Sequence, residues 1–154
     1  MPKVLYGPLA VLTLTLTGAP TIGAATELTD DQRCLALAMY WEAKNQGPEG
    51  MIAVGAVALN RVRHERFPDR VCDVVFQGGE TPPCQFSWWC DGKSDVPQEQ
   101  RAWSLAQKLA GMMLRNPPDD PTDGALFFHN TSVKPAWRKE LTRTARLGSH
   151  VFYR

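Results

Sequence analysis

The stretch from Thr29 to Lys44 constrains the fold most, because it carries the start signal and the spacing of one amphipathic helix. Thr29 is a residue type favoured as a helix N-cap, and Gln32, three positions later, is suited to be its reciprocal partner in a capping box. Apolar residues then recur at the i, i+3, i+4 spacing that places them on one helix face. Glu42 occupies the i+7 position, so the pattern puts a carboxyl group at the end of an apolar stripe.

The position of Glu42 has two interpretations. Burial beside the apolar stripe would raise the pKa of its carboxyl group, as a general acid at neutral pH requires. Alternatively, the side chain lies just past the stripe, near the end of the helix, and faces solvent. The pattern alone leaves both interpretations open.

Residues 1–25 have the features of a secretory signal peptide. Lys3 gives a short basic start, residues 4–17 are mostly apolar and uncharged, and small residues up to Ala25 offer a cleavage site. The apolar run is shorter than the roughly 20 residues of a membrane-spanning helix, although an uncleaved anchor is the alternative. Cleavage would leave residues 26–154 as one catalytic domain that is secreted, periplasmic or associated with the cell wall, with no membrane span.

Charge gives no indication of a nucleic-acid partner. The chain has 17 Lys and Arg residues and 16 Asp and Glu residues, and Lys3 is the only charged residue among the first 25. The mature domain would therefore have balanced charge. This balance disfavours nucleic acid or an anionic membrane surface as the main partner and favours a neutral or mixed-charge polymer.

Four cysteines follow the predicted signal peptide, and export favours disulfides. Three pairings exist for four cysteines. We favour Cys84–Cys90, which closes a short loop, and Cys34–Cys72, which ties the first helix to a later loop. A metal site is the alternative, but the chain has no Cys-x-x-Cys pair.

The remaining segments predict an α+β domain with about three helices and a small antiparallel β-hairpin. A second helix, rich in Ala and Gly and apolar on nearly every side, begins at Pro48, and a third spans residues 97–115. Residues 71–77 are either a strand or a helix turn. Residues 150–154 alternate as a strand does and are predicted to pair antiparallel with residues 127–129.

Aromatic residues are available to bind a sugar near the candidate acid. Glycan cleavage needs a protonated carboxyl group near the glycosidic oxygen, and aromatic rings suit the apolar faces of sugars. Most Trp side chains of a small domain pack in its core, so we expect only some of these rings to line a groove. The candidates are Trp41, Phe86, Trp88, Trp89 and Trp137.

The second carboxylate that simple hydrolysis usually requires is harder to place. Asp91 is the first candidate, although Asp before Gly is also typical of a turn, and Asp73 and Glu49 are others. A lytic transglycosylase needs no second carboxylate. One Glu protonates the leaving oxygen and then takes a proton from the 6-hydroxyl of the same sugar, which closes an anhydro ring.

Metal-dependent hydrolysis is the main enzymatic alternative. His129 and His150 would meet across the predicted hairpin, where Asp91 or Asp123 would join them. No His-Glu-x-x-His spacing supports such a site, and no Gly-x-Ser-x-Gly motif supports a serine nucleophile.

Seven short blocks follow one another in a specific order between Cys34 and Arg154. They are Trp41-Glu42-Ala43, Glu49-Gly50, Ala53-Val54-Gly55-Ala56-Val57 with Leu59-Asn60-Arg61-Val62, Gln85-Phe86-Ser87-Trp88, Asp91-Gly92, Ala125-Leu126-Phe127-Phe128-His129-Asn130 and Gly148-Ser149-His150-Val151-Phe152-Tyr153. Together they resemble the cell-wall hydrolase family of the SleB/CwlJ type, the spore-cortex-lytic enzymes and their relatives.

The resemblance implies a lysozyme-like, transglycosylase-type α+β fold that acts on peptidoglycan. It implies that Glu42 is the catalytic acid and base, and that the blocks around residues 86–88 and 129–130 line the glycan groove. We expect that no cofactor or metal is needed. We expect a monomer whose partner is the glycan strand. The expected glycan contacts are Trp41, Gln85, Phe86, Ser87, Trp88, Asp91, His129, Asn130 and Trp137.

One departure from the family pattern bears on the reaction. Family members often continue the Glu-Ala pair with Arg-Gly-Glu, whereas this chain has Lys44-Asn45-Gln46. An acidic side chain is therefore missing where relatives offer a second carboxylate. The sequence predicts a lytic transglycosylase that cuts between N-acetylmuramic acid and N-acetylglucosamine. The alternatives are a non-catalytic peptidoglycan-binding protein and a metal-dependent cell-wall amidase.

Overall fold

A computed structural model of the chain describes residues 28–79 and 83–154. The predicted signal peptide, residues 1–25, lies outside the described residues. Among the residues that are described, no helix is long and apolar enough to cross a membrane.

Helix α1 spans Asp30–Ala43 and confirms the predicted first helix. The backbone N–H of Gln32 donates to Thr29 Oγ1 at 3.2 Å, so Thr29 is the N-cap. The prediction that the Gln32 side chain is the reciprocal partner of Thr29 in a capping box is wrong. The Gln32 side chain donates instead to the carbonyl oxygen of Gln107 at 3.0 Å, which ties the start of α1 to the last long helix.

Helix α2 spans Gly47–Val62 and is buried along most of its length, as its composition predicts. Gly55 permits close packing here, because a Cβ at this position would lie 2.9 Å from Met113 Sδ and 3.3 Å from Met39 Sδ. Helix α3, Val71–Val75, resolves the ambiguous segment as one helical turn and a half. The core lies between α1, α2, α3 and α4.

Helix α4 spans Gln100–Arg115 and begins three residues later than predicted. The backbone N–H groups of Gln98 and Glu99 both donate to the buried Tyr40 hydroxyl at 3.1 Å. This tertiary contact holds the chain before Gln100 in a non-helical course.

The sheet has three antiparallel strands in the order β1-β3-β2: β1 is Phe127–Asn130, β2 is Arg143–Leu147 and β3 is His150–Tyr153. The predicted pairing of β1 with β3 is confirmed, with Phe127 opposite Tyr153. The expected hairpin was incomplete, because β2 adds a third strand and joins β3 through the turn at Gly148.

Two disulfides join Cys34 to Cys72 and Cys84 to Cys90, the pairing that the sequence favoured. The first links α1 to α3. The second closes the loop that carries Gln85 and Ser87, which lies across from the sheet.

Candidate active site

Glu42 lies in the last turn of α1, half-buried, where two cavities adjoin. One cavity, of about 330 Å³, opens toward the sheet, and the other, of about 340 Å³, opens toward residues 88–95. Ser87 lines both cavities beside Glu42. The carboxyl group therefore lies near the middle of an open groove.

Burial raises the pKa of the Glu42 carboxyl group from 4.5 to about 7, although the positive charge of Arg61 opposes this rise. None of the hydrogen bonds in the described part of the chain reaches the Glu42 carboxyl group. At neutral pH the group is therefore divided between its acid and its carboxylate forms, and it is free to exchange a proton with a bound molecule.

The sheet-side cavity presents polar groups opposite Glu42. Gln85 and Asn130 are exposed at its surface, and His129 and His150 lie deeper. The His129 Nε2 atom lies 3.1 Å from the Tyr153 hydroxyl. These residues offer hydrogen-bonding groups to a ligand in the groove.

Gln46 joins the α1–α2 turn to the sheet beside this cavity. Its Nε2 atom lies 3.1 Å from Nδ1 of the buried His150, and its Oε1 atom accepts a hydrogen bond from the Ser149 backbone N–H at 3.0 Å. Burial lowers the pKa of His150 below its usual value, so this histidine is neutral at neutral pH. In the sequence Gln46 stands out only for its missing charge, and this structural role was not predicted.

The second cavity, toward residues 88–95, has an aromatic wall. Trp41 and Trp88 stack with their ring centroids 6.3 Å apart, and Asp91 lies at the rim with Lys93. Lys93 contributes both its backbone N–H, which donates to Asp91 Oδ1 at 2.9 Å, and an ion pair at 3.5 Å. Asp91 thus has the contacts of a turn residue while it lines the groove next to Glu42.

A third cavity, of about 430 Å³, continues from the sheet-side cavity, with which it shares Arg61, Gln85 and Phe128. Trp137 lines it and packs against Tyr153 at a centroid distance of 5.5 Å. The three cavities follow one another along one face of the domain. They form what we call the groove, which runs from Trp41 past Glu42 to Trp137.

The prediction that Phe86 contacts the glycan is wrong. Phe86 is 1% exposed, and its ring lies in the core against Phe128 and under the Arg61 guanidinium. Alternation within the short loop directs Phe86 inward while Gln85 and Ser87 remain exposed. Trp88 is 7% exposed, so it offers little more than an edge to the groove.

The structure also locates the candidates for other chemistry. His129 and His150 share a cavity, but the part of the chain that is described contains no group of three His, Cys, Asp or Glu residues that could hold a metal ion. Asp123 forms an ion pair with Arg154 and lies outside the groove. Glu49 and Asp73 are exposed and line none of the three cavities.

Arg61 is a charged residue of this site that was not predicted from the sequence. It is 3% exposed and lines both the sheet-side cavity and the third cavity. Its only sequence signal is its place in the block Leu59-Asn60-Arg61-Val62. In contrast, Asn60 is turned away from the groove and donates to Asp120 Oδ2 at 2.8 Å and to the Ala125 carbonyl oxygen at 3.1 Å.

A small helical domain whose three-stranded sheet faces a half-buried Glu at the end of the first helix has the lysozyme-like, transglycosylase-type fold. A sequence model of the cell wall hydrolase family matches residues 45–153, so the chain belongs to that family. Glu42 precedes the matched range by three residues. The interpretation of Glu42 therefore depends on the geometry of the groove.

Two solved structures of similar fold are catalytic domains of SleB proteins from Bacillus species. The catalytic domain of the germination-specific lytic transglycosylase SleB from Bacillus anthracis superposes with a TM-score of 0.66 and 28% identity, covering 84% of this chain and 98% of that one. The catalytic domain of the Bacillus cereus SleB protein superposes with a TM-score of 0.60 and 22% identity, covering 89% of this chain and 100% of that one. At this identity the likeness shows the fold alone.

Two curated relatives are named spore cortex-lytic enzymes. The Bacillus subtilis (strain 168) protein is 32% identical over 126 residues, and the Halalkalibacterium halodurans protein is 30% identical over 125 residues. Each match covers 80% of this chain but only 37% and 34% of the relative. The chain thus spans about a third of the length of these relatives.

Proposed function

We propose that this protein is a peptidoglycan-cleaving lytic transglycosylase in which Glu42 is the general acid and base. The observation that carries the proposal is a half-buried Glu42 at the middle of the groove, with a pKa near 7 and no hydrogen bond to its carboxyl group from the described residues. Family membership and the SleB catalytic domain of Bacillus anthracis, a lytic transglycosylase, support the substrate class.

The reaction needs only one carboxyl group. Glu42 donates its proton to the glycosidic oxygen between N-acetylmuramic acid and N-acetylglucosamine, and the bond from C1 to that oxygen breaks. The 6-hydroxyl of the same muramic acid then bonds to C1 and returns its proton to the Glu42 carboxylate. The sheet-side cavity supports this route, because Glu42 is the only carboxylate among the described residues that line it.

The groove would hold the glycan strand on both sides of the broken bond. In this proposal Trp41, Trp88 and Asp91 contact the sugars on one side, and Gln85, His129, Asn130 and Trp137 contact those on the other, with Ser87 between them. Phe86 supports this surface from below. No metal or cofactor takes part, and the domain acts as a monomer.

The proposal places the domain outside the cytoplasm, where peptidoglycan is found. The signal-peptide composition of residues 1–25 and the two disulfides both support export. N-terminal sequencing of the exported protein tests this, because cleavage should leave Thr26 as the first residue.

Replacement of the carboxyl group tests the proposed chemistry. We expect Glu42→Gln to fold and to lose lytic activity on purified sacculi by at least about 1,000-fold, since no other group supplies the proton. Glu49→Gln is the matched control, because Glu49 is exposed at the start of α2 and lines none of the groove. Its activity should equal that of the unmodified protein.

Three outcomes would contradict the proposal. Retained lysis by folded Glu42→Gln would remove Glu42 from the chemistry. Loss of activity with a chelator would favour the metal-dependent amidase, and co-sedimentation with sacculi without release of soluble fragments would favour the non-catalytic binding protein.

A further inference from the structure

Arg61 is a buried cation that shares the sheet-side cavity with Glu42. It forms no ion pair within the described part of the chain, where the paired cations are Lys44, Lys93 and Arg154. The guanidinium therefore faces the Glu42 region without contacting its carboxylate directly. A charge at that position influences the carboxyl group through space and leaves it free to meet a substrate.

The fold fixes the position of this guanidinium firmly. Arg61 Nε donates to the carbonyl oxygen of Leu126 at 2.7 Å, just before strand β1. Its Cζ atom lies 5.2, 5.4 and 5.7 Å from the ring centroids of Phe67, Phe86 and Phe127. These rings hold the cation by cation–π contacts and exclude water from it.

One of the guanidinium nitrogens is buried, and residues 28–79 and 83–154 offer it no partner. Arg61 Nη1 is inaccessible to solvent and makes no hydrogen bond to any of the residues that the structure describes. A buried donor without a partner destabilises a fold, and a neutral residue would fill this space at lower cost. A cation at such a position suggests that its charge serves the site rather than the stability of the fold.

Other charged or titratable groups lie near Glu42 on the elements around it, but they are placed differently. On its own helix, Lys44 is engaged with Glu99 at 2.6 Å. The sheet contributes the two histidines His129 and His150. The loop after α3 contributes three exposed or partly exposed charges, Asp91, Lys93 and Asp95. Arg61 is the group whose charge opposes the effect of burial on the pKa of Glu42.

We propose that Arg61 is a positioning residue that sets how readily Glu42 releases and regains its proton. This inference rests on the proposed function of Glu42. Burial alone would keep the carboxyl group protonated and make it a poor donor. A fixed cation across the cavity stabilises the carboxylate that remains after the glycosidic oxygen has been protonated, until the 6-hydroxyl proton returns.

A titration of Glu42 in three Arg61 variants tests the inference. Arg61→Met removes the charge, Arg61→Gln removes it but keeps a donor for Leu126 O, and Arg61→Lys keeps it. Carbon-13 NMR of the Glu42 carboxyl carbon and the pH profile of sacculus lysis are measured for each. In the two neutral variants, we expect the midpoint of both curves to rise by about one pH unit or more, the effect of losing a nearby opposite charge.

The Lys variant should titrate close to the unmodified protein. Lys44→Met is the control, because it removes a cation two residues from Glu42 that does not line the sheet-side cavity, and its midpoint should not move. A purely structural role of Arg61 would lower the amount of folded protein without moving either midpoint.

Three results would overturn the inference: an unchanged NMR midpoint in a folded neutral variant, a Lys variant that titrates like the neutral ones, or failure of all three variants to fold. The NMR readout separates this inference from the proposed function. A shifted titration in a protein that never releases fragments from sacculi would keep the Arg61–Glu42 coupling and reject the lytic activity.

Discussion

The charged form of the buried Glu42 carboxyl group destabilises the folded protein. Because burial raises the pKa of this carboxyl group to about 7, the folded protein binds this proton more tightly than the unfolded chain, where the pKa is about 4.5. The contribution of this group to the free energy of unfolding is therefore largest below about pH 4.5 and is lost as the pH rises toward 7. A residue chosen for stability alone would not carry a charge here.

We therefore predict that Glu42→Gln stabilises the protein at high pH. Gln fills the same space without a charge, so the variant should gain about 1–3 kcal/mol over the unmodified protein at pH 8 and almost nothing at pH 4. Urea unfolding at the two pH values measures the difference. A difference that is the same at both values would show that the Glu42 carboxyl group is not held in a desolvated position.

How much of the site could be predicted differs from residue to residue. Glu42 was visible because helical spacing alone places it beside an apolar stripe. Arg61 was not, since a cation in the last turn of a helix is equally typical of solvent exposure. Its burial depends on Phe86 and Phe127, which come from other elements, and the inward direction of Phe86 depends on the same contacts.

The loop that carries Gln85 and Ser87 has little regular structure to hold it in place. In its described residues, the regular structure is one 3₁₀ turn, Ser87–Cys90, and the Gln85 backbone N–H donates to the Gln77 carbonyl oxygen at 3.0 Å. The disulfide between Cys84 and Cys90 closes it. The disulfide between Cys34 and Cys72, in contrast, joins two helices of the core.

We predict that one disulfide matters mainly for stability and the other mainly for activity. Replacing Cys34 and Cys72 with Ala opens a sequence separation of 38 residues and should cost about 4 kcal/mol of stability, with activity per folded molecule unchanged. Replacing Cys84 and Cys90 opens a separation of 6 residues and should cost only about 2 kcal/mol, but it should lower activity at least about tenfold. Thermal unfolding and sacculus lysis below both melting temperatures measure these effects. Equal activities of the two folded variants would contradict the role given to the loop.

The elements themselves were predictable to the extent that their signals are local. Helices α1 and α2 carry caps, apolar faces or a Pro at the start, and strands β1 and β3 alternate. Strand β2 was missed, because it is an edge strand with a polar sequence and an irregular register between Arg143 and Ala145. The start of α4 was misplaced because the competing partner, the Tyr40 hydroxyl, is about 60 residues away in the sequence.

The groove is a property of the whole molecule. Helix α1 provides Glu42, the loop provides Ser87 and Trp88, and the sheet and the segment after it provide His129 and Trp137. These elements are far apart in the sequence and meet only in the folded domain. The sequence could therefore name most of the groove residues but not the order in which they line it.

Trp137 tests whether the third cavity binds glycan. In the Glu42→Gln background, which removes cleavage, we predict that Trp137→Ala weakens co-sedimentation with sacculi at least about fivefold, for roughly 1 kcal/mol of lost aromatic contact. Trp89→Ala is the matched control, because Trp89 is 38% exposed, packs on Phe76 and lines none of the groove. Equal binding by the two variants would exclude the third cavity from the glycan site.

Product analysis tests the central claim most directly. Sacculi are digested with the mature protein and, in parallel, with Glu42→Gln, and the soluble fragments are identified by mass spectrometry. We predict muropeptides that end in 1,6-anhydro-N-acetylmuramic acid from the mature protein and none from the variant, because Glu42 acts alone and the sugar supplies its own nucleophile. Reducing ends would contradict this account, since they require an activated water and a second carboxylate, for which Asp91 is the first candidate.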